Sequence, residues 1–226
     1  MTLEKLMSEL EKCGTMQNRK VYRKHGVTRD QFGVSFANLN VLKRRIRKAQ
    51  DLAEALWATG NHDARILATM IADENDMTAD LLETWAKDLD NYIISDSFAG
   101  IASRAKDAQV LMKGWMASDE EWICRAGWQM LAITAMRNPD LEDAFFKEQL
   151  KLIENNISGA KNRVKDAMNS ALIAIGIRNE SLKAEAIAAA KRIGKVEVNH
   201  GDTDCKTPEA VPYIENAWER RNAKKA

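Results

Sequence analysis

Apolar residues recur along this chain at helical spacing, not at the alternation of strands. Leu3, Leu6, Met7 and Leu10 follow an i, i+3, i+4, i+7 pattern that predicts an amphipathic helix ending near Gly14. A shorter helix is predicted from Met16 to His25. The pattern breaks at Gly26-Val27-Thr28 and Gly33-Val34-Ser35, and Phe36, Leu39, Leu42 and Ile46 restart it. From Asp51 onward it predicts helix pairs, with first members over 51–59, 78–89, 106–117 and 141–155 and second members over 61–70, 91–103, 121–136 and 162–175. The second members start roughly 30 to 40 residues apart, the period at which stacked helical hairpins bury a continuous core. A last helix is predicted over 181–193, stopped by Gly194. Ser118 to Glu121 reads as a capping box before Trp122. The fold class expected is therefore all-α, a superhelical solenoid of antiparallel helix pairs, with the repeats over 1–194. Residues 195–226 are expected as a turn-rich loop and short helix packed on or trailing the last repeat.

Composition narrows the picture without naming a partner. The 226 residues carry 34 Lys and Arg against 33 Asp and Glu. The charges are segregated, however: ten bases and one acid lie between Arg19 and Lys48, and eight acids and one base between Asp73 and Asp96. The basic half could hold a polyphosphate; solvated helix faces remain the better account of most individual side chains. Three scattered cysteines form neither a disulfide framework nor a metal-ligand pair, which fits a reducing cytoplasm. No apolar run approaches the ~18 residues that cross a bilayer, so no membrane partner is expected. The nucleotide-binding Gly-rich loops, the His-Glu-x-x-His zinc motif and the Gly-x-Ser-x-Gly elbow are absent, which removes the commonest nucleotide, zinc-hydrolase and serine-hydrolase readings.

The stretch Asp90-Asn91-Tyr92-Ile93-Ile94-Ser95-Asp96 holds the most suggestive chemistry. Tyr92 and Asp96 fall one helical turn apart and share a face, which places a carboxylate beside an aromatic ring and suits a flat cationic substrate. A structural role explains the same residues, with Asp90 capping the helix and Asp96 making a structural hydrogen bond. His200, Asp202, Asp204 and Cys205 supply metal-ligand residue types, but their spacing matches no standard site. The reading preferred is a loop strapped across the last repeats by side-chain-to-backbone bonds, with no metal and no cofactor. The tryptophans fall mostly at helical core positions, with Trp122 and Trp128 the two candidates for exposure.

At Gly33-Val34-Ser35-Phe36, 57–68 (with its segment His62-Asp63-Ala64-Arg65-Ile66-Leu67-Ala68) and Trp85-Ala86-Lys87-Asp88-Leu89-Asp90 the chain resembles the DNA alkylation repair family, the AlkD-like alkylpurine DNA glycosylases with HEAT-like repeats. The resemblance spans about 15 to 194. It implies an α-α superhelix of HEAT-like repeats whose concave, basic face holds double-stranded DNA. It also implies a monomer that releases cationic 3- or 7-alkylpurines by hydrolysing the N-glycosidic bond, without cofactor or metal. Asp96 then matches the catalytic carboxylate, and Tyr92 stands where the family usually has an aromatic Trp. Arg125 matches the arginine that holds a backbone phosphate near the lesion. Lys161, Arg163 and Lys165 are expected on the same face, with Lys43, Arg44 and Arg47 of the basic run assisting. The cleft wall is expected to include Trp122 and Ser170, the latter where the family has a second Trp. A non-catalytic DNA-binding or damage-sensing relative, and a helical-repeat protein-interaction scaffold, are the alternative readings.

Overall fold

The protein's structure, a computed structural model, describes residues 1–223. Over these residues the regular structure is helical: α1 (Leu3–Cys13), α2 (Met16–Lys24), α3 (Phe36–Ile46), α4 (Gln50–Ala58), α5 (His62–Ile71), α6 (Ala79–Ala86), α7 (Tyr92–Ala102), α8 (Ala108–Met116), α9 (Glu121–Arg137), α10 (Asp143–Asn156), α11 (Asn162–Arg178), α12 (Glu180–Ile193) and α13 (Ala210–Ala223). The one β feature among them is an isolated antiparallel bridge between Gly14 and Val34. No helix of the described residues is long and apolar enough to cross a membrane.

Helix starts follow from short polar side chains that satisfy otherwise unpaired N–H groups. Thr2, Thr15, Ser35, Asn61, Thr78, Asn91 and Asn179 each cap a helix by accepting such a bond. The expected capping box at α9 does not form. Ser118 Oγ accepts from Glu120 N at 3.1 Å, and the Glu121 carboxylate instead accepts Arg163 N at 2.7 Å, at the start of α11. The N-cap of α11, Lys161, offers no acceptor of its own, so a neighbouring helix supplies one.

The packing gathers into two compact units, Met1–Leu111 with Gly201–Thr203, and Met112–His200 with the stretch from Asp204 on. In the first, α5 packs on α3, α4 and α7, and Leu6, Leu10, Leu39, Leu56, Ile66, Leu82 and Phe98 are fully buried. In the second, α9 and α11 pair along their lengths, α10 and α11 pack on α12, and α13 packs on both α11 and α12. Gly176 makes the α13 contact feasible. A Cβ there would lie 2.6 Å from Ile214 Cδ1 and 2.9 Å from Ala186 Cβ, and the buried carbonyl of Gly176 accepts Trp218 Nε1 at 2.9 Å. Burying Ile214 and Trp218 there contributes on the order of 1.5–3 kcal/mol each.

Candidate nucleic-acid interface

In the first unit, Asn91 and not Asp90 caps α7: its side chain accepts from Ile93 N at 3.0 Å and Ile94 N at 3.2 Å. Asp90 is ion-paired with Arg29 and accepts Asn91 Nδ2 at 2.7 Å, so the capping role weighed for it belongs to its neighbour. Ile94, Ser95 and Phe98 face inward from α7, which leaves Tyr92 and Asp96 on the half-buried side, one turn apart. The Tyr92 hydroxyl is hydrogen-bonded to His25 Nδ1, and the two rings meet edge-on at 5.8 Å. His25 was not singled out from the sequence; it reaches Tyr92 from the C-terminal end of α2.

The segment that carries the strongest family resemblance is structural. Asp63, buried in the first turn of α5, accepts three backbone N–H groups: Phe32 at 2.6 Å, Gly33 at 3.0 Å and Val34 at 2.9 Å. Arg65 is buried against Trp57, its guanidinium 5.0 Å from the ring centroid. It donates to Trp57 O at 3.1 Å and to Asp88 Oδ2 at 2.9 Å, while Trp57 Nε1 donates to the same Asp88 oxygen at 2.9 Å. Trp57 and Trp85 stack at 4.1 Å between centroids, 4° from parallel. Burial pulls the Arg65 guanidinium below its ordinary range, and the Asp88 carboxylate opposes the shift. The signal that could have revealed this cluster is a charge on the apolar side of a predicted helix, at Asp63 and at Arg65.

In the second unit, Arg125 is 2% exposed. Its NH1 donates to Asp166 Oδ2 and to Arg163 O, both at 2.8 Å. In this conformation the guanidinium holds α9 to α11 and is almost wholly shielded from solvent. Arg163 is half-buried, with NH1 3.3 Å from His200 Nδ1. Lys161 is exposed and donates to the Asp119 carbonyl, and Lys165 is half-buried. Ser170 Oγ donates to Asp166 O at 3.0 Å, so this hydroxyl is turned onto its own helix. Trp122 is half-buried and Trp128 buried. The strap expected of the tail loop is present: Asn162 exchanges two hydrogen bonds with the Asn199 backbone (2.8 and 2.7 Å), and Asn169 Nδ2 donates to Pro208 O at 2.9 Å. His200 Nε2 lies 2.9 Å from Thr207 Oγ1, so its ring serves the loop itself.

The basic run of the first unit divides sharply. Arg45 is bound to Glu9 (2.7 Å) and Lys48 to Asp73 (3.0 Å) and Glu74 (2.9 Å). Lys43, Arg44 and Arg47 are exposed on or just after α3 with no acid partner among the described residues. The structure thus brings together Tyr92 with His25, and Arg125 with Arg163 and Asp166. It leaves the three α3 cations open to solvent.

The family of DNA alkylation repair enzymes matches residues 6–214. Among curated proteins, the uncharacterized protein Lin0241 of Listeria innocua is 30% identical over 227 residues, covering 98% of this chain and 99% of its own. The uncharacterized protein Lmo0209 of Listeria monocytogenes is 30% identical over 230 residues, covering 97% and 98%. A solved structure superposes with a TM-score of 0.91 at 29% identity, over 98% of this chain and 95% of that one. It is described as a new family of proteins related to the HEAT-like repeat DNA glycosylases with affinity for branched DNA structures. The fold is accordingly the all-α, HEAT-like repeat fold.

Proposed function

We propose that this chain, which belongs to the DNA alkylation repair enzyme family, binds DNA through its unpaired surface cations, branched DNA included. The observation that carries the reading is the division of the basic run. Lys43, Arg44 and Arg47 stand exposed without acid partners while Arg45 and Lys48 beside them are neutralised. Unneutralised cations on a rigid helix are what a phosphate backbone requires, and each contact releases counterions. The affinity described for the similar structure supports extending the substrate from plain duplex to branched DNA. In this reading residues 1–194 form the repeat domain that handles DNA, and the loop and short helix from 195 on pack on its last repeat.

Family membership and the half-buried position of Asp96 on α7 favour a second reading, excision of cationic 3- or 7-alkylpurines. Such a base carries its own positive charge and leaves without a general acid. The protein need add only negative charge near the oxocarbenium-like sugar and a placed water, both within the reach of a carboxylate such as Asp96. Two features slow that chemistry. Tyr92 offers a weaker π face than the Trp the family usually has there, and Ser170 offers none to a cationic base. At about 0.5–2 kcal/mol for each lost cation–π contact, cleavage slows by roughly one to three powers of ten.

One experiment tests both readings: fluorescence anisotropy on linear and branched DNA across a salt series, and release of 7-methylguanine by wild type and Asp96→Asn. Binding should weaken steeply with salt, the log–log slope falling by roughly 0.9 per phosphate contact. Weak base release should disappear in Asp96→Asn. Release no faster than the spontaneous rate, with DNA binding intact, removes the excision reading alone. Binding that is absent or indifferent to salt removes both.

A further inference from the structure

Helix α2 is built unlike the others of its unit: it buries no residue. Its inner face, Asn18, Arg19 and Tyr22, is attached mainly through polar bonds to one loop, with the Tyr22 ring edge-on to His62 at 5.6 Å. Asn18 Nδ2 donates to Gly33 O at 3.0 Å, Arg19 Nε to Phe32 O at 3.0 Å and the Tyr22 hydroxyl to Val34 O at 2.6 Å. The loop is fixed in turn by the Asp63 carboxylate. Gly33 adopts φ +77, and a Cβ there would lie 2.5 Å from Thr15 O and 2.7 Å from Arg19 N, so the loop and helix approach as closely as backbone allows. Such an attachment holds a helix in place without using its outer face.

That outer face is cationic. Lys20, Arg23 and Lys24 are exposed and have no acid partner among the described residues, and no acid occurs between Glu11 and Asp30. Repulsion between like charges three and four residues apart opposes this arrangement, and no fully buried side chain of α2 offsets it. Between the cations stand two exposed apolar side chains, Met16 at 64% and Val21 at 38% exposure. We infer that the outer face of α2 is a further phosphate-binding surface, which takes an additional duplex arm of branched DNA. The lysines and arginine hold the backbone. Met16 and Val21 cover the base-pair faces that a branch point leaves unstacked, a contact that apolar side chains make at disrupted base steps.

The inference rests on the DNA-binding reading and deepens it. Its test compares wild type with Lys20→Glu/Lys24→Glu and, as a gentler pair, Lys20→Gln/Lys24→Gln, by anisotropy on a three-way junction and on a linear duplex of equal length. Junction affinity should fall about tenfold or more at near-physiological salt, with the junction salt slope reduced by roughly 2. Linear-duplex affinity should stay within about twofold. Equal losses on both DNAs would place α2 in the primary duplex site and overturn the inference, as would no loss on either. A wild type with no preference for the junction overturns it as well, while salt-dependent duplex binding leaves the underlying reading standing.

Discussion

Asp63 is the residue whose replacement should link stability to DNA binding most directly. Its carboxylate accepts three backbone N–H groups from 32–34, with Gly33 and Val34 buried, so water cannot replace it. In Asp63→Asn one oxygen still accepts, but the amide nitrogen turns donor against donor. One or two charge-assisted bonds are lost at about 2 kcal/mol each, giving a cost of about 2–4 kcal/mol. For a chain of this size each kcal/mol lowers Tm by roughly 2–4 °C, so a fall of about 5–15 °C is expected.

The loss is also local. The carbonyls of 32–34 hold Asn18, Arg19 and Tyr22, and once that loop loosens α2, which has no fully buried side chain, is left with lateral contacts such as Tyr22 edge-on to His62 and His25 on Tyr92. Trypsin should therefore cut after Lys20, Arg23 and Lys24 in Asp63→Asn well before the rest of the chain yields. Three-way-junction affinity should fall alongside. The assays are a thermal melt by circular dichroism, a trypsin time course resolved by mass spectrometry, and anisotropy. A melt within about 1 °C of wild type, or cleavage sites spread evenly along the chain, would refute the clamp.

Two further outcomes follow from the same unit. Arg65→Ala should cost about 2–3 kcal/mol by urea unfolding, below the roughly 3–5 of a fully buried pair because Asp88 is 39% exposed. Arg65→Lys should recover little of it, since one ammonium cannot serve Trp57 O, Asp88 O and Asp88 Oδ2 together. His62 is held below its ordinary pKa of 6.5 chiefly by burial, with the Asp63 and Asp90 charges opposing, and its Nε2 is buried without a hydrogen-bond partner. Because the unfolded chain takes up a proton that the folded one refuses, stability should hold above pH 6.5 and fall below it, by up to ~1.4 kcal/mol per pH unit. His62→Phe should flatten the urea midpoint between pH 6.5 and 5, and an unchanged slope would assign the acid loss to other groups.

Much of the helical architecture was legible because it is written locally, in a short polar cap followed by an apolar stripe; α1 to α3 start and stop where those signals place them. The misreadings share one cause. Asp90 and Asn91 are equally good caps on paper, and the choice between them was made by Arg29, 61 residues away. Ser118 and Glu121 have capping-box spacing, but Glu121 is drawn to the start of α11, 42 residues on. Asp63 and Arg125 were harder still. Their partners lie 29 to 41 residues distant, in loops and helix starts with no periodicity to betray them. Local pattern reports where helices are; it does not report which charge the tertiary structure will claim.

That distinction bears on where DNA can be held. On α11, Arg163 faces His200 and gives its N–H to Glu121, Asn162 is spent on Asn199, Asn169 holds Pro208, and Ser170 bonds its own backbone. The N-terminal half of this helix, where the family resemblance expects an aromatic wall and phosphate contacts, also holds the chain's own tail through Asn162, Arg163 and Asn169. Arg125 is likewise consumed in joining α9 to α11. A cation already neutralised by an internal acid gains less from a phosphate than an unpaired one. Lys20, Arg23, Lys24, Lys43, Arg44 and Arg47 have no such partner to lose among the described residues. Their charge is therefore the cheapest to transfer to a nucleic acid, and substitutions there should move DNA affinity more than substitutions at the buried arginine.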